Sequence, residues 1–385
     1  MSAAFHPNNI ICKLISIINA CFTHNYFPIS WKQAKIFLLP KPGKDSSKPD
    51  GYRPISLLSS LGKIYERLIL TRLEPYLPLL PDEQYSFRKN LSTTRQLVRI
   101  VEFIGAAFHN KQSVALLMLD VAKAFDRVWH EGLIFKLINM GLQRELILLI
   151  YSFLQHRTFY VIQGNEKSNI KPIRSSVPQG SILGPILYLF YISDFPKPNL
   201  NHYSLLACYA DDTAIAIKSI QAKQAIAKMQ QYLHSVEDWC TNWRVKINAT
   251  KSQLLILNKS KKFNNLQDLL LFQEPVPIVS KAKYLGIILN SKLTWSDHIQ
   301  SVKNKALGIM IRFLPVIGKY SNLSLRTKRH IYTSCIRPIL CYASPAWNTA
   351  TYYTHITKLA GYNPVVEHPF KSHLTPSITI LLIRQ

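Results

Sequence analysis

Three aspartates stand where apolar segments end. Residues 114–119 form an unbroken apolar run that closes on Asp120, and Asp211-Asp212 separates the apolar runs 205–210 and 213–217. Acidic residues at a turn are ordinary, and a carboxylate after a strand can also cap a following helix. Adjacent carboxylates flanked by strands this apolar are less ordinary, because desolvated like charges repel unless a cation compensates them. The chemistry they point to is the binding of a divalent metal ion by hard oxygen ligands. Further candidates are Phe125 and Asp126 after the first aspartate, the segment Pro178-Gln179-Gly180-Ser181, and Arg53 beside an apolar stretch. Lys41 and Lys44 lie in a run rich in Pro, Gly and Lys, and Lys251 falls between two strand patterns.

The elements that must position these groups show as periodicity. Asp120 ends a strand of the kind buried on both faces, and Asp211-Asp212 is placed at a hairpin tip. Ile10, Leu14, Ile17, Ile18 and Cys21 share one face of a helix expected over 9–27. A strand over 34–39 leads into a polar loop or hairpin at 41–51. Helices are expected over 59–73, 93–108, 131–139 and 143–155. Gly164-Asn165, set between strands at 158–163 and 170–177, is a hairpin signal, and 180–192 reads as a buried helix. Ala222, Ile226, Met229, Leu233, Val236, Cys240 and Trp243 recur every three or four residues and predict a helix over 222–243. Short strands at 254–257 and 284–289 and a basic helical stretch over 297–337 complete the pattern. No internal repeat is visible.

Composition narrows the function classes. The chain has 385 residues, 48% of them hydrophobic, which is enough for a real core in two or three subdomains. Forty-seven Lys and Arg against 21 Asp and Glu give a net charge of +26, so the surface attracts a polyanion, with nucleic acid the first candidate. A merely basic soluble protein is the bland alternative, but the charge is spread along the chain rather than carried by a tail. Cys12, Cys21, Cys208, Cys240, Cys335 and Cys341 form no CxxC pair and have no histidine at zinc spacing, which argues against a disulfide framework or zinc knuckle and suits a reducing compartment. The longest apolar stretch, 181–192, is too short for a membrane span and contains Gly184 and Pro185. With no signal-peptide pattern at the N-terminus, the expectation is an intracellular protein without a membrane segment.

Several of these segments resemble one family in order. Leu119-Asp120-Val121-Ala122-Lys123-Ala124-Phe125-Asp126, Pro178-Gln179-Gly180-Ser181 and Tyr209-Ala210-Asp211-Asp212 resemble the first three palm motifs of reverse transcriptases. Tyr52-Arg53-Pro54-Ile55-Ser56-Leu57-Leu58, and Ser86-Phe87-Arg88 with Ser92-Thr93, resemble the jockey-like kind carried by non-LTR retrotransposons. The resemblance covers about 27–347. It implies an α+β right-hand polymerase with fingers, a ferredoxin-like palm built on an antiparallel sheet, and a helical thumb. The expected divisions are an N-terminal helical segment at 1–30, fingers and palm at 31–289, a thumb-like region at 290–350 and a divergent tail at 351–385.

What the resemblance implies for the candidates agrees with physical chemistry. Phosphoryl transfer asks the protein for positioning and charge stabilisation. Two Mg²⁺ ions, with Mn²⁺ an alternative, sit about 3.5–4 Å apart in such sites, activating the primer 3′ hydroxyl and stabilising pyrophosphate. Asp120 and Asp211 are the expected bridging ligands and Asp212 completes the set. Phe125 stands where the family places a ring under the sugar of the incoming dNTP, excluding a 2′ hydroxyl; the alternative is a core phenylalanine. Asp126 is given a structural or hydrogen-bonding role. Gln179 and Gly180 are expected to open a helix and to contact the nucleotide and template base, Gly180 through close backbone approach; a plain turn is the alternative. Arg53, with Lys41 or Lys44, is expected to clamp the triphosphate. Lys251 matches the motif whose lysine protonates pyrophosphate, against the alternative of an exposed lysine. Tyr284-Leu285-Gly286 resembles the primer grip, against an ordinary strand. Lys303, Lys305, Arg312, Lys319, Arg326, Lys328, Arg329 and Arg337 are expected along the thumb, facing the duplex backbone.

The partners implied are an RNA template, a DNA primer or RNA–DNA duplex, and dNTPs. Action is expected in the nucleus, with a cytoplasmic ribonucleoprotein stage. No endonuclease, zinc-knuckle or RNase H pattern occurs in the 385 residues, residues from about 351 drift from the thumb pattern, and Ser86 replaces the usual glycine. A truncated element copy, with its endonuclease encoded upstream, is therefore expected. The alternative function is a catalytically silent nucleic-acid-binding remnant.

Overall fold

The computed structural model describes residues 7–347 apart from 41, 42, 44, 46, 49, 50, 200, 260–265, 319 and 320. In chain order the strands are β1 (Gln33–Pro40), β2 (Tyr52–Leu57), β3 (Ser113–Leu119), β4 (Arg157–Gln163), β5 (Glu166–Lys167), β6 (Lys171–Ile173) and β7 (Ser204–Tyr209). Then come β8 (Asp212–Ser219), β9 (Gln253–Leu257), β10 (Leu270–Leu271), β11 (Glu274–Pro275), β12 (Ile278–Val279), β13 (Lys281–Tyr284) and β14 (Ile287–Asn290). The longer helices are α1 (Pro7–Thr23), α2 (Ser60–Leu73), α3 (Thr93–His109), α4 (His130–Asn139), α5 (Arg144–Leu154), α6 (Gly184–Tyr191), α7 (Ala222–Asn242) and α8 (Ser296–Ile317), followed by α9 (Leu325–Ile331). No helix among the described residues is long and apolar enough to cross a membrane.

The chain divides into two compact units, each woven from three segments. The first takes the described residues up to Lys89 together with Asp120–Lys197 and His234–Asn248. Its sheet runs β2-β1-β4-β5, with β6 also paired to β4. Beside it α2 buries Gly62, Tyr65, Glu66, Ile69 and Leu73, a stripe at helical spacing, after Ser59 caps the helix by accepting from the Gly62 amide. Phe27, Tyr65, Ile69, Phe153, Leu187 and Phe190 belong to this core.

The second unit takes Asn90–Leu119, Pro198–Leu233 and the described residues from Ala249. Its five-stranded sheet has the order β12-β9-β3-β8-β7. Central β3 is antiparallel to both neighbours and buries all seven of its residues, as its unbroken apolar run requires. Edge strand β7 is covered by α3: Gln96 Nε2 donates to the Cys208 carbonyl at 3.1 Å and Arg99 donates to Leu206 at 3.0 Å. These bonds occupy alternate edge carbonyls that would otherwise template another strand.

Several expectations need correction. Helix α1 ends at Thr23, and Ile10 and Ile17, expected on its packed face, are 52% and 49% exposed, whereas Ile18 and Cys21 are buried. The strand expected over 170–177 is reduced to β6, because the Gly164-Asn165 turn pairs β4 with the two-residue β5 first. The strand expected over 284–289 is a hairpin, β13 turning into β14 through Leu285 and Gly286. The single helical stretch over 297–337 is interrupted after Ile317 at Gly318, and restarts at Leu325 where Ser324 caps by accepting from Thr327.

His298, at the start of α8, lies between the rings of Trp295 and Trp347. Its Nδ1 accepts from the Ile288 amide at 3.4 Å, and its buried Nε2 has no hydrogen-bond partner among the described residues. Burial, helped by Lys305, pushes its pKa down to about 4. An unfolded histidine titrates near 6.5, so between those values the unfolded chain binds more protons. This contribution to stability is complete above about pH 6.5 and is lost towards pH 4, amounting to about 3 kcal/mol at most. Melting temperature measured against pH is expected to fall less steeply across that window in His298→Gln than in the parent chain.

Candidate active site

Strands β7 and β8 are joined through Ala210 and Asp211, with Tyr209 opposite Asp212. The tip expected at Asp211-Asp212 is thus displaced by one residue, and Asp212 opens β8. Ala210 takes the left-handed conformation at φ 54°, which lets a two-residue turn follow the twist of its strands but costs a residue with a Cβ about 1–2 kcal/mol. Asp211 and Asp212 are exposed, whereas Thr213 to Ser219 are buried.

Register places other groups at the same end of this sheet. Leu119 of β3 faces Thr213, and Asp120 is the next residue in the chain. Gln253 of β9 faces Met118, so the turn carrying exposed Lys251 leaves at that end too. The backbone beyond β3 is secured in the first unit: the Asp120 carbonyl accepts from Asn248 at 2.9 Å, and the Ala122 amide donates to Lys246 at 2.8 Å. Asp120 is half-buried.

Among the described residues, no three His, Cys, Asp or Glu side chains gather closely enough to cage a metal ion. Mg²⁺ does not need such a cage, since it is usually held by one or two carboxylates while keeping water and taking substrate phosphate oxygens. Exposed Asp211 and Asp212 at the end of an apolar sheet fit that donor set.

The hairpin β13–β14 is tied to the β7–β8 hairpin within the second unit. Its turn residues Leu285 and Gly286 are both left-handed, at φ 41° and 87°. Tyr284 is buried and donates its hydroxyl to the Ala207 carbonyl at 3.1 Å, with the Asp212 carbonyl 3.5 Å away. Burial, with Cys208 and Asp212 nearby, holds its phenol well above the usual tyrosine range, so the hydroxyl stays a donor.

In the first unit a second group of motif residues is zipped together. The ring of half-buried Phe125 stacks on Tyr188, centroids 4.7 Å apart. Its carbonyl accepts from Val177 at 3.0 Å, and Ser176 donates to Val128 at 3.0 Å. Asp126 Oδ1 accepts from Gln179 Nε2 at 2.9 Å. Gly180 has φ 100°, and a Cβ there would lie 2.7 Å from the Ser56 carbonyl. The close approach inferred for Gly180 is therefore made by β2. The helix expected to begin at Gly180 starts at Gly184 instead, because the left-handed glycine cannot continue one and Ser181 Oγ accepts from the Gly184 amide. Arg53 is exposed on β2 opposite Leu39, and Lys41, Lys44 and Lys319 lie outside the described residues.

Glu66 escaped the sequence reading. Its Oε2 accepts from the amides of Ile182 at 2.6 Å and Leu183 at 3.1 Å, capping α6 from another element. Burial is the main influence on its carboxyl and raises its pKa. Arg157, only 1% exposed, is the cation that acts on it; burial pushes that guanidinium down to about 10, and burial together with Arg157 pushes Lys32 down to about 8. The available signal was a charge inside the apolar stripe of α2, where a buried acid needs fixed partners.

Comparison with known proteins follows the same residues. Positions 39–289 match the family described as reverse transcriptase (RNA-dependent DNA polymerase). The chain is 38% identical over 362 residues to the RNA-directed DNA polymerase from mobile element jockey of Drosophila melanogaster, covering 92% of this chain and 39% of that protein. It is 37% identical over 357 residues to the probable RNA-directed DNA polymerase from transposon BS of the same species, covering 89% and 39%. The chain thus spans about two fifths of the length of the curated relatives it matches. A solved structure of apo telomerase from Candida tropicalis, truncated from its C-terminal domain, aligns at 16% identity with a TM-score of 0.49, over 69% of this chain and 54% of that one.

Glu66→Ala strips two amides of their acceptor and leaves buried Arg157 without its neighbouring anion. A loss of about 3 kcal/mol is expected in urea unfolding, with a smaller loss for Glu66→Gln, which keeps a carbonyl acceptor. Equal midpoints for the parent and Glu66→Ala would show that the 181–183 segment holds itself.

Proposed function

The chain belongs to the reverse transcriptase family, of the jockey-like non-LTR retrotransposon kind, and from that premise we propose that it adds dNTPs to a primer 3′ end on an RNA template. The observation that supports the proposal is strand register: Leu119, the last residue of β3 and the neighbour of Asp120 in the chain, pairs with Thr213, which follows Asp211 and Asp212. The net charge of +26 supports a nucleic-acid partner. The mixture of helices with a largely antiparallel sheet is of the right-hand polymerase kind.

Asp120, Asp211 and Asp212 would hold the divalent cations, Mg²⁺ or Mn²⁺. Bound there, such ions supply charge neutralisation at phosphoryl oxygens and lower the pKa of a coordinated hydroxyl. The chain's own residues do the remaining work. Phe125 presents a ring that stacking on Tyr188 holds in place, so it can act as a wall against a 2′ hydroxyl. Gln179, oriented by Asp126, faces the nucleotide, and Gly180 passes the Ser56 carbonyl at the only separation a glycine allows. Arg53, with Lys41 or Lys44, binds the triphosphate through charge-assisted hydrogen bonds. Exposed Lys251 delivers a proton to leaving pyrophosphate. Tyr284, Leu285 and Gly286 hold the primer end, and the basic face of α8 and α9 follows the duplex backbone.

Primer extension on poly(rA) with oligo(dT) and Mg²⁺ tests the reading. Asp211→Asn and Asp212→Asn are each expected to lower kcat about a thousand-fold, about 4 kcal/mol of barrier. Incorporation that is absent, or equal in all three chains, would leave nucleic-acid binding without catalysis. Phe125→Val is expected to raise the use of rNTPs relative to dNTPs about ten-fold or more, because opening the wall removes a steric exclusion. An unchanged ratio would return the ring to a packing role.

A further inference from the structure

Tyr342 lies beyond the 39–289 span that matches the family, yet it reaches the turn of the β13–β14 hairpin. Its hydroxyl donates to the Leu285 carbonyl at 2.8 Å and lies 3.1 Å from Thr93 Oγ1. Its ring fills the place a side chain at Gly286 would need: a Cβ there would stand 3.0 Å from the ring edge. Thr93 is itself fixed as the first residue of α3, capped by Ser92, whose side chain accepts from Arg95. Behind the tyrosine, the Trp347 Nε1 donates to the Tyr342 carbonyl at 3.0 Å, and Ala343, Ala346 and Trp347 are buried. The side chain therefore projects from an anchored segment onto a turn.

A hairpin of two strands is marginal by itself and needs outside support. Among the described residues β13–β14 pairs with no third strand, so its geometry depends on what holds its two ends. Tyr284 fastens one side to the Ala207 carbonyl. The last ladder pair is Tyr284 with Ile287, which leaves the Leu285 carbonyl in the turn itself, where the Tyr342 hydroxyl takes it up. Tyr342 is 36% exposed, so the residue lies at the surface rather than in the core. We infer that Tyr342, assisted by Thr93, is a positioning residue that latches the primer-grip turn and so sets where the primer end is held.

The inference rests on the reading of Tyr284-Leu285-Gly286 as the primer grip, and the test separates the two. Tyr342→Phe removes only the hydroxyl, and Thr93→Val removes its neighbour. Each is expected to raise KM for poly(rA)·oligo(dT) about five-fold, with KM for dTTP and the melting temperature unchanged. A primer–template KM equal to the parent's in Tyr342→Phe, or one that rises only in step with the dTTP KM, overturns the latch. Gly286→Ala is the control for the grip. If it raises the primer–template KM while Tyr342→Phe does not, only the latch fails; if neither changes it, the grip reading fails with it.

Discussion

The pairing of β3 between β8 and β9 is the constraint on which the rest depends. All seven residues of β3 are buried, so both faces of the strand are committed to packing and the ladder on each side is filled. Side chains alternate along a strand, and a slip of one residue would send every side chain of β8 to the opposite face. It would also move the point at which Asp212 emerges relative to Leu119, one bond before Asp120. Apolar packing thus fixes a polar position: Leu116 opposite Ala216 and Leu255 sets where Asp212 opens β8 relative to the end of β3. Nothing in the carboxylates themselves could impose that order, since like charges repel.

In both units, the backbone takes uncommon conformations at residues of the candidate motifs. Ala210, Leu285, Gly286, Gly180 and Lys123 all have φ between 41° and 100°. Three of the five carry a Cβ, and such conformations persist only when the surroundings over-determine them. The surroundings do so by hydrogen bonds across motifs. Tyr284 reaches Ala207, Tyr342 reaches Leu285, the Phe125 carbonyl takes up Val177, and Glu66 takes up Ile182 and Leu183. Segments far apart in sequence are made to depend on one another's backbone, so a turn at one motif is rigid because of a side chain at another.

That dependence also explains which parts were legible beforehand. Continuous apolar runs and three-to-four spacing located β3, α2, α3 and α7 to within a residue or two, because burial alone writes those patterns. The two-residue turns were less legible. Asp212 was assigned to a tip that Ala210 and Asp211 occupy, since alanine carries no turn signal and its left-handed conformation is imposed by the ladder. Residues 284–289 looked like one strand because Leu285 is apolar, and only Gly286 hinted at the hairpin. Glu66 and Tyr342 could not be read as site residues at all: each acts by touching backbone more than fifty residues away, and local composition holds no trace of such a contact.

Charge placement gives the last step. The buried charges of the first unit are structural. Glu66 takes up two amides, Arg157 donates to the Phe153 carbonyl, and Lys136 sits 3.6 Å from the centre of the Trp243 ring while bonded to Tyr191 and Asp194. Each is held by fixed partners because an unpaired buried charge is prohibitive. Asp211 and Asp212 differ from these in burial, both being exposed at the end of an apolar sheet. Exposure leaves both residues accessible to solvent, while the buried residues Thr213 to Ser219 behind them give the turn a packed base. In the first unit, burial of a charge goes with partners that hold the fold, whereas the proposed chemistry draws on carboxylates exposed at the end of a packed sheet.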